Sequence, residues 1–301
     1  MNHFLCINEC SAGELENLLT LSAKLKADDK QGTLEQSLKG KVLAMVFEKA
    51  SLRTRMSFQV AMHDLGGAGI YLKPEDIGIL GTREPIKDMA RVFSRYVHGI
   101  MARTFAHDSL KELAAYADVP VINALSDWSH PCQAMADILT IQEHLGDLSG
   151  KKVAFIGDGN NVARSLAFAC AKFDMSMTIA SPVNYELDDE TVRIANQDQH
   201  CLSLCSDAVE AVQGSHVIYT DTWVSMGQED ETQERVNDFR GFQVNSALLS
   251  HAPEAKVMHC LPAHREYEIT DEVAESDNSV IFDQAENRLH FQRALLASLL
   301  A

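Results

Sequence analysis

Short apolar runs alternate with amphipathic stretches along almost the whole chain. In the first half, residues 42–47, 69–72, 97–102 and 119–124 form apolar runs of strand length. In the second half the same pattern recurs at 152–156, 176–180, 201–204, 216–220, 256–259 and 279–282. Between them, apolar positions return at helical spacing over 11–26, 52–65, 85–96, 109–117, 131–145, 161–173, 206–213, 243–250 and 285–300. This alternation predicts an α/β fold with mostly parallel sheets flanked by helices. A fresh sheet opens near Lys151, after the turn at 146–150. Two domains are therefore expected: 1–130 plus 285–301, and 131–284, with the helix at 131–145 linking them. The last helix carries Leu289, Leu295, Leu296, Leu299 and Leu300, so it must dock.

At 301 residues the chain is long enough for two cores. Its formal charge of −17 disfavours nucleic acid and anionic membrane as partners. No apolar run reaches the length of a membrane span. Met1-Asn2-His3-Phe4 does not read as the start of a signal peptide. The seven cysteines follow no disulfide spacing, so a reduced, cytoplasmic enzyme is expected. The acidic run at 228–234 reads as a solvated loop.

Against this acidic background, Phe47-Glu48-Lys49-Ala50-Ser51-Leu52-Arg53-Thr54-Arg55 stands out. It follows a buried strand and opens a helix, with Ser51 suited to the N-cap. Lys49, Arg53 and Arg55 sit where the helix dipole is already positive, an arrangement that costs stability unless an anion joins it. A bound phosphate accounts for it, held by backbone N–H groups and a bidentate arginine. The plainer reading is a capped helix with solvated arginines.

Ligands of open parallel sheets sit beyond the carboxyl ends of the strands, and polar residues recur at those places. Arg103 ends one apolar run; alone it would be an ordinary surface arginine. His130-Pro131-Cys132-Gln133 starts a helix with proline at its first position. There a histidine donor can polarise a carbonyl and the Gln133 carbonyl can accept from an amide. Gly157-Asp158-Gly159-Asn160-Asn161 imitates a dinucleotide fingerprint, but Val162 replaces its third glycine and no acidic residue ends the next strand. Asn161 reads better as an amide facing the cleft. Asp221 with Ser225-Met226-Gly227 offers a carboxylate and loop N–H groups for an amino acid, or is an ordinary loop. His259-Cys260-Leu261-Pro262-Ala263-His264 holds three possible metal ligands without a second cluster, so no metal is expected. A cysteine nucleophile is conceivable, though no base is identifiable. Leu261-Pro262 is a candidate cis bond.

These segments, in this order and across nearly the whole chain, resemble the aspartate/ornithine carbamoyltransferase family, on its ornithine-using branch. Residues 47–55 look like the family's carbamoyl-phosphate motif and 130–133 like its second motif. Asp221 with 225–227 resembles the ornithine loop, 259–262 the carbamoyl-contacting turn, and Asp283-Gln284-Ala285-Glu286-Asn287-Arg288 the segment that supplies a late arginine. The resemblance implies two α/β domains with the active site in a cleft between them. It implies a homotrimer or a multiple of trimers, and no cofactor. It also implies that carbamoyl phosphate is bound by Ser51, Leu52 (through its N–H), Arg53, Thr54, Arg103, His130, Gln133, Cys260, Leu261 and Arg288. Arg103, His130, Cys260 and Arg288 would be catalytic. L-ornithine would be held by Asn161, Asp221, Ser225 and Met226.

Three departures from the family pattern are visible. Leu52 stands where threonine is frequent, Ala50 replaces a proline, and Ile79 falls where a histidine or glutamine often reaches the neighbouring subunit's phosphate site; Arg83 or Lys87 is expected to substitute. The expected activity is carbamoyl transfer from carbamoyl phosphate to the δ-amine of L-ornithine, giving L-citrulline and phosphate. The rivals are transfer to N-acylornithine or putrescine, a noncatalytic regulatory paralogue, and a nucleotide-binding oxidoreductase built on 157–161.

Overall fold

A computed structural model describes residues 1–224 and 229–301. The chain divides into two compact units, Met1–Leu139 with Glu286–Ala301, and Thr140–Ala285. Both boundaries fall inside helices, Pro131–Leu145 and Ile281–Leu300.

The first unit is built on four parallel strands, β1 (Val42–Phe47), β2 (Ala68–Leu72), β3 (Gly99–Arg103) and β4 (Val121–Leu125), in the order β2-β1-β3-β4. β1 and β3 are buried on both faces apart from Val42, as their unbroken apolar sequences require. The chain leaves β1 for β2 on one side and returns to β3 on the other, so the order reverses between β1 and β3. Crevices at such reversals are where open sheets bind ligands, and Phe47 and Arg103 are register partners there. The end of the chain docks in this unit: Leu295, Leu296 and Leu300 are buried. A Cβ on Gly99 would lie 2.7 Å from the tip of the Leu300 side chain, so the final helix packs its last leucine directly over this glycine.

The second unit has five parallel strands, β5 (Lys152–Ile156), β6 (Ser176–Ala180), β7 (Leu202–Cys205), β8 (Val217–Thr220) and β9 (Lys256–His259), ordered β7-β6-β5-β8-β9. Its order reverses between β5 and β8. The core beside it gathers Ile156, Ile218, Trp223, Phe239 and Val257.

The run 279–282 is not a strand. Only Ser279 pairs, as a single bridge to Val257, and Ile281 already begins the last helix. Val280 and Ile281 are buried while Phe282 is exposed: an apolar run one turn long looks the same for either structure. The helix expected at 243–250 shrinks to Ser246–Leu249, capped by Asn245. Asp189–Ala195, capped by Asp188, is a helix the apolar pattern does not announce.

Candidate active site

In the first unit the sequence folds its cations onto one helix start. Ser51 is the N-cap of the helix Leu52–Asp64. Its Oγ accepts from the Thr54 N–H at 3.4 Å and donates to Thr54 Oγ1 at 3.1 Å. Thr54 is fully buried and Arg53 half-buried, whereas Leu52, the first residue of the helix, has an exposed side chain. Arg288, from the final helix, donates from Nη2 to Thr54 Oγ1 at 2.9 Å. Arg103 closes β3 and is buried, and its carbonyl accepts from Glu48 N–H at 2.9 Å.

The field around these groups is strongly positive. Burial pushes the Lys49 ammonium down from its usual pKa, and Arg103 pushes it further. Lys49 rests 4.8 Å from the centre of the Phe105 ring. His130 is buried and held well below the usual histidine range, first by desolvation, then by Arg288, Arg103 and Lys49. Its imidazole is therefore neutral at physiological pH and can act as a neutral donor. Three cations that repel a fourth group make a receptacle for an anion. Arg55 stands aside from it, with its guanidinium 4.1 Å from the Tyr71 ring.

Gln133 lies one turn into the helix Pro131–Leu145. Its Nε2 donates to Asp137 at 2.8 Å, which fixes the orientation of the amide. Its buried Oε1 finds no donor among the described residues. A buried carbonyl left in this state costs about 1–3 kcal/mol until a ligand N–H supplies the bond.

One residue here escaped sequence reasoning. Glu48 is buried and accepts from the N–H of Leu80 and of Phe105, each at 2.6 Å. It ties the strand end to the segment that bears Ile79 and to the ring under Lys49. A lone carboxylate beside three cations was the available signal. Ile79 is exposed, and Arg83 is engaged with the carbonyl of Asp76 at 2.7 Å.

In the second unit, Asp221 is buried after β8 and gathers three donors. Asn160 Nδ2 reaches Oδ2 at 2.9 Å, while Cys260 Sγ and the Thr222 N–H reach Oδ1 at 2.9 and 2.8 Å. The Asn160–Asp221 bond spans the point where the strand order reverses. Asn160 also caps the helix Asn161–Lys172, its Oδ1 accepting from Val162 and Ala163 N–H at 2.9 and 3.1 Å. The chain's own amide thus fills the place where a dinucleotide phosphate would bind. Gly159 is needed for packing instead, since a Cβ there would lie 2.4 Å from the backbone of Glu186 and Leu187. Asn161, the expected ligand, begins that helix and its carbonyl accepts from Ser165. Ser225 and Met226 lie outside the described residues.

Cys260 and Leu261 follow β9. Leu261 adopts a φ of 55° and its bond to Pro262 is cis. A left-handed leucine costs roughly 1–2 kcal/mol and persists only where its surroundings hold it. Asp221, His259 and Cys260 bring possible metal-ligating atoms within 4.8 Å of one another. Both ring nitrogens of His259 are engaged, Nδ1 with the Leu261 N–H at 2.8 Å and Nε2 with Glu268 at 3.0 Å. The imidazole thus has no lone pair to spare for an ion.

Two family models match the chain, one over each half. Residues 2–143 match the family model described as the carbamoyl-P binding domain of aspartate/ornithine carbamoyltransferase, and 149–299 match its Asp/Orn binding domain. The chain is 51% identical over 298 residues to an ornithine carbamoyltransferase of Methanocorpusculum labreanum, covering 99% of this chain and 97% of the relative. The solved ornithine carbamoyltransferase of Pyrococcus furiosus superposes with a TM-score of 0.97 at 49% identity, over 99% of this chain and 97% of that one. That of Thermus thermophilus gives 0.91 at 44% identity, over 100% and 99%.

Proposed function

The chain belongs to the aspartate/ornithine carbamoyltransferase family, and from that premise we propose that it transfers the carbamoyl group of carbamoyl phosphate to the δ-amine of L-ornithine, giving L-citrulline and phosphate. The observation that carries the reading is the buried cluster of Thr54, Arg103, Arg288 and a neutral His130 beside a capped helix start. It suits a phosphate joined to a carbonyl better than it suits a free metal-bound or nucleotide ligand.

In this reading Ser51, Arg53, Thr54, Arg103 and the Leu52 N–H bind the phosphate. Arg103, His130 and Thr54 draw charge onto the carbamoyl oxygen. The Gln133 Oε1 accepts from the carbamoyl NH₂, a role its fixed orientation supports, and the carbonyls of Cys260 and Leu261 do the same. Arg288 contacts the carbamoyl region. Asp221 attracts the amino acid's amine, aided by Asn161, Ser225 and Met226, and Cys260 lies beside the attacking nitrogen. The neutral δ-amine attacks the carbonyl carbon, forming the C–N bond. The bond to the phosphate oxygen then breaks, and the departing phosphate carries off the nitrogen's proton. Rate enhancement comes from orientation and electrostatic stabilisation of the oxyanion, with no covalent enzyme intermediate.

Exposed Leu52, Met56, Ile70 and Ile79 on the first unit support assembly into a homotrimer or a multiple of it. Seven free cysteines support a cytoplasmic location. The test is citrulline formation from carbamoyl phosphate with L-ornithine, run beside N-acetylornithine, putrescine and aspartate. Turnover preferring any of the other three overturns the acceptor assignment.

A further inference from the structure

Glu268 is completely buried, and so is His259. A carboxylate taken wholly out of water is costly unless its bonds are specific. Here one oxygen gathers both ends of the turn that follows β9. Oε1 accepts from His259 Nε2 at 3.0 Å, on the entry side, and from the His264 N–H at 2.6 Å, on the exit side. The donors are five residues apart in sequence, and Cys260, Leu261, Pro262 and Ala263 lie between them.

The histidine passes this hold on to the turn itself. The Leu261 N–H donates to His259 Nδ1 at 2.8 Å, so Nδ1 carries no proton and the ring's hydrogen sits on Nε2, facing Glu268. The other tautomer would lose both bonds. Two further bonds fix the frame: the His259 N–H donates to Gln284 Oε1 at 2.9 Å, and the Val244 N–H donates to the Glu268 carbonyl at 2.9 Å. Leu261 is the residue in the left-handed conformation, the one that needs holding from outside.

We propose that Glu268 is a positioning residue, which sets the His259 tautomer and thereby aims the Cys260 and Leu261 carbonyls at the reacting group. The proposal rests on the carbamoyl-transfer reading for what those carbonyls meet, but its geometric half stands without it. Misplacing reacting partners by about 1 Å can cost on the order of 100-fold in rate. A Gln at 268 keeps an acceptor oxygen at the same reach. An Asp draws it back by one methylene, and an Ala removes it.

The experiment measures steady-state kinetics of the full-length protein and its Glu268→Gln, Glu268→Asp and Glu268→Ala variants, with inhibition by inorganic phosphate. Hydrogen–deuterium exchange is read on the peptide spanning 256–264. Glu268→Ala and Glu268→Asp are expected to lower kcat about tenfold or more, while phosphate inhibition stays within about twofold and Glu268→Gln stays within about threefold of the parent. Exchange in 256–264 should quicken in the Ala and Asp variants and not in Gln. If the Ala variant fails to fold, the Asp and Gln pair carries the comparison. Equal kcat in all four proteins, a Gln variant no better than Ala or Asp, or phosphate binding lost in step with kcat overturns the proposal. Active parent protein with insensitive variants sinks this inference alone. A parent protein without turnover sinks the carbamoyl-transfer reading and the catalytic half with it, leaving exchange to judge the geometry.

Discussion

Thr54 Oγ1 lies 2.9 Å from Nη2 of Arg288, a bond between the first turn of one helix and a residue 234 positions later in the chain. It joins the start of the phosphate motif to the final helix, so the two are predicted to fail together. Thr54→Val keeps the shape and removes the acceptor, leaving a guanidinium N–H buried without it. A stability loss of about 1–3 kcal/mol is expected, with kcat/KM for carbamoyl phosphate down by about 10- to 100-fold. Arg288→Lys should cost at least as much in kcat/KM, because a lysine cannot reproduce the planar fork. Chemical denaturation and steady-state kinetics check both, and a Thr54→Val protein with parental kcat/KM would remove Arg288 from the site.

The cations crowded around the Ser51 helix start predict that inorganic phosphate stabilises the protein. At about 100 times its dissociation constant the gain should be about 2.7 kcal/mol, read as a rise in thermal midpoint. Arg53→Ala should abolish most of that rise while leaving the midpoint without phosphate nearly unchanged. The same response in parent and variant would place phosphate elsewhere.

Two pH effects run in the same direction by different routes. Burial and neighbouring cations depress the folded-state pKa of His130, and burial depresses that of His290. Above the unfolded value of about 6.5 both states are neutral and stability is complete. As pH falls below it, the unfolded chain takes up protons that the folded one refuses, so stability is lost toward acid. Thermal midpoints at about pH 7.5 and about pH 5.5 should show the drop, and His130→Gln should shrink it. The catalytic rate should rise with pH through neutrality for a separate reason: the acceptor amine must shed its proton before attack. A flat profile of the chemical step would contradict the proposed nucleophile.

Asn160 serves helix and carboxylate at once. Asn160→Ala should cost about 1 kcal/mol as a lost cap and raise KM for ornithine through Asp221, with KM for carbamoyl phosphate held. Asp221→Asn should raise KM for ornithine further. Initial rates varied in each substrate separate the two constants. Parallel changes in both would argue against an acceptor site at Asp221.

Gly159→Ala drives a Cβ to within 2.4 Å of backbone atoms at Glu186 and Leu187. Neither can yield as a flexible side chain would, so a loss of roughly 1–3 kcal/mol is expected. Calorimetry of the parent with NAD should show no heat of binding, since the helix start is occupied by Asn160.

Strands, helix starts and the order of motifs were legible because they rest on local chemistry: β-length apolar runs, Ser51 as a cap, Pro131 at a first turn, cations against a dipole. What was illegible depends on distance in the chain. Asn160 and Asn161 are equivalent as letters, and only the fold commits the first to a cap and to Asp221. Glu268 sits in an acidic stretch with Glu266, Asp271, Glu272 and Glu275, where nothing local tells a solvated charge from a fully buried one. Glu48 binds two backbone N–H groups, at Leu80 and Phe105, which lie 32 and 57 residues further along the chain and leave no mark on the motif itself. The run at 279–282 reads as a strand because one turn of helix and a short buried strand share the same apolar letters.

The first unit is completed by residues 286–301, which leave the ribosome after all of the second unit. A nascent chain that has finished 1–139 carries Ser51, Arg53, Thr54 and Arg103 but neither Arg288 nor the helix that brings it to Thr54. Domains generally fold in order of synthesis, and here that order is broken. The cationic cluster around Thr54 is therefore complete only once residues 286–301 have been made, and a shorter nascent chain carries it without its partner from the final helix.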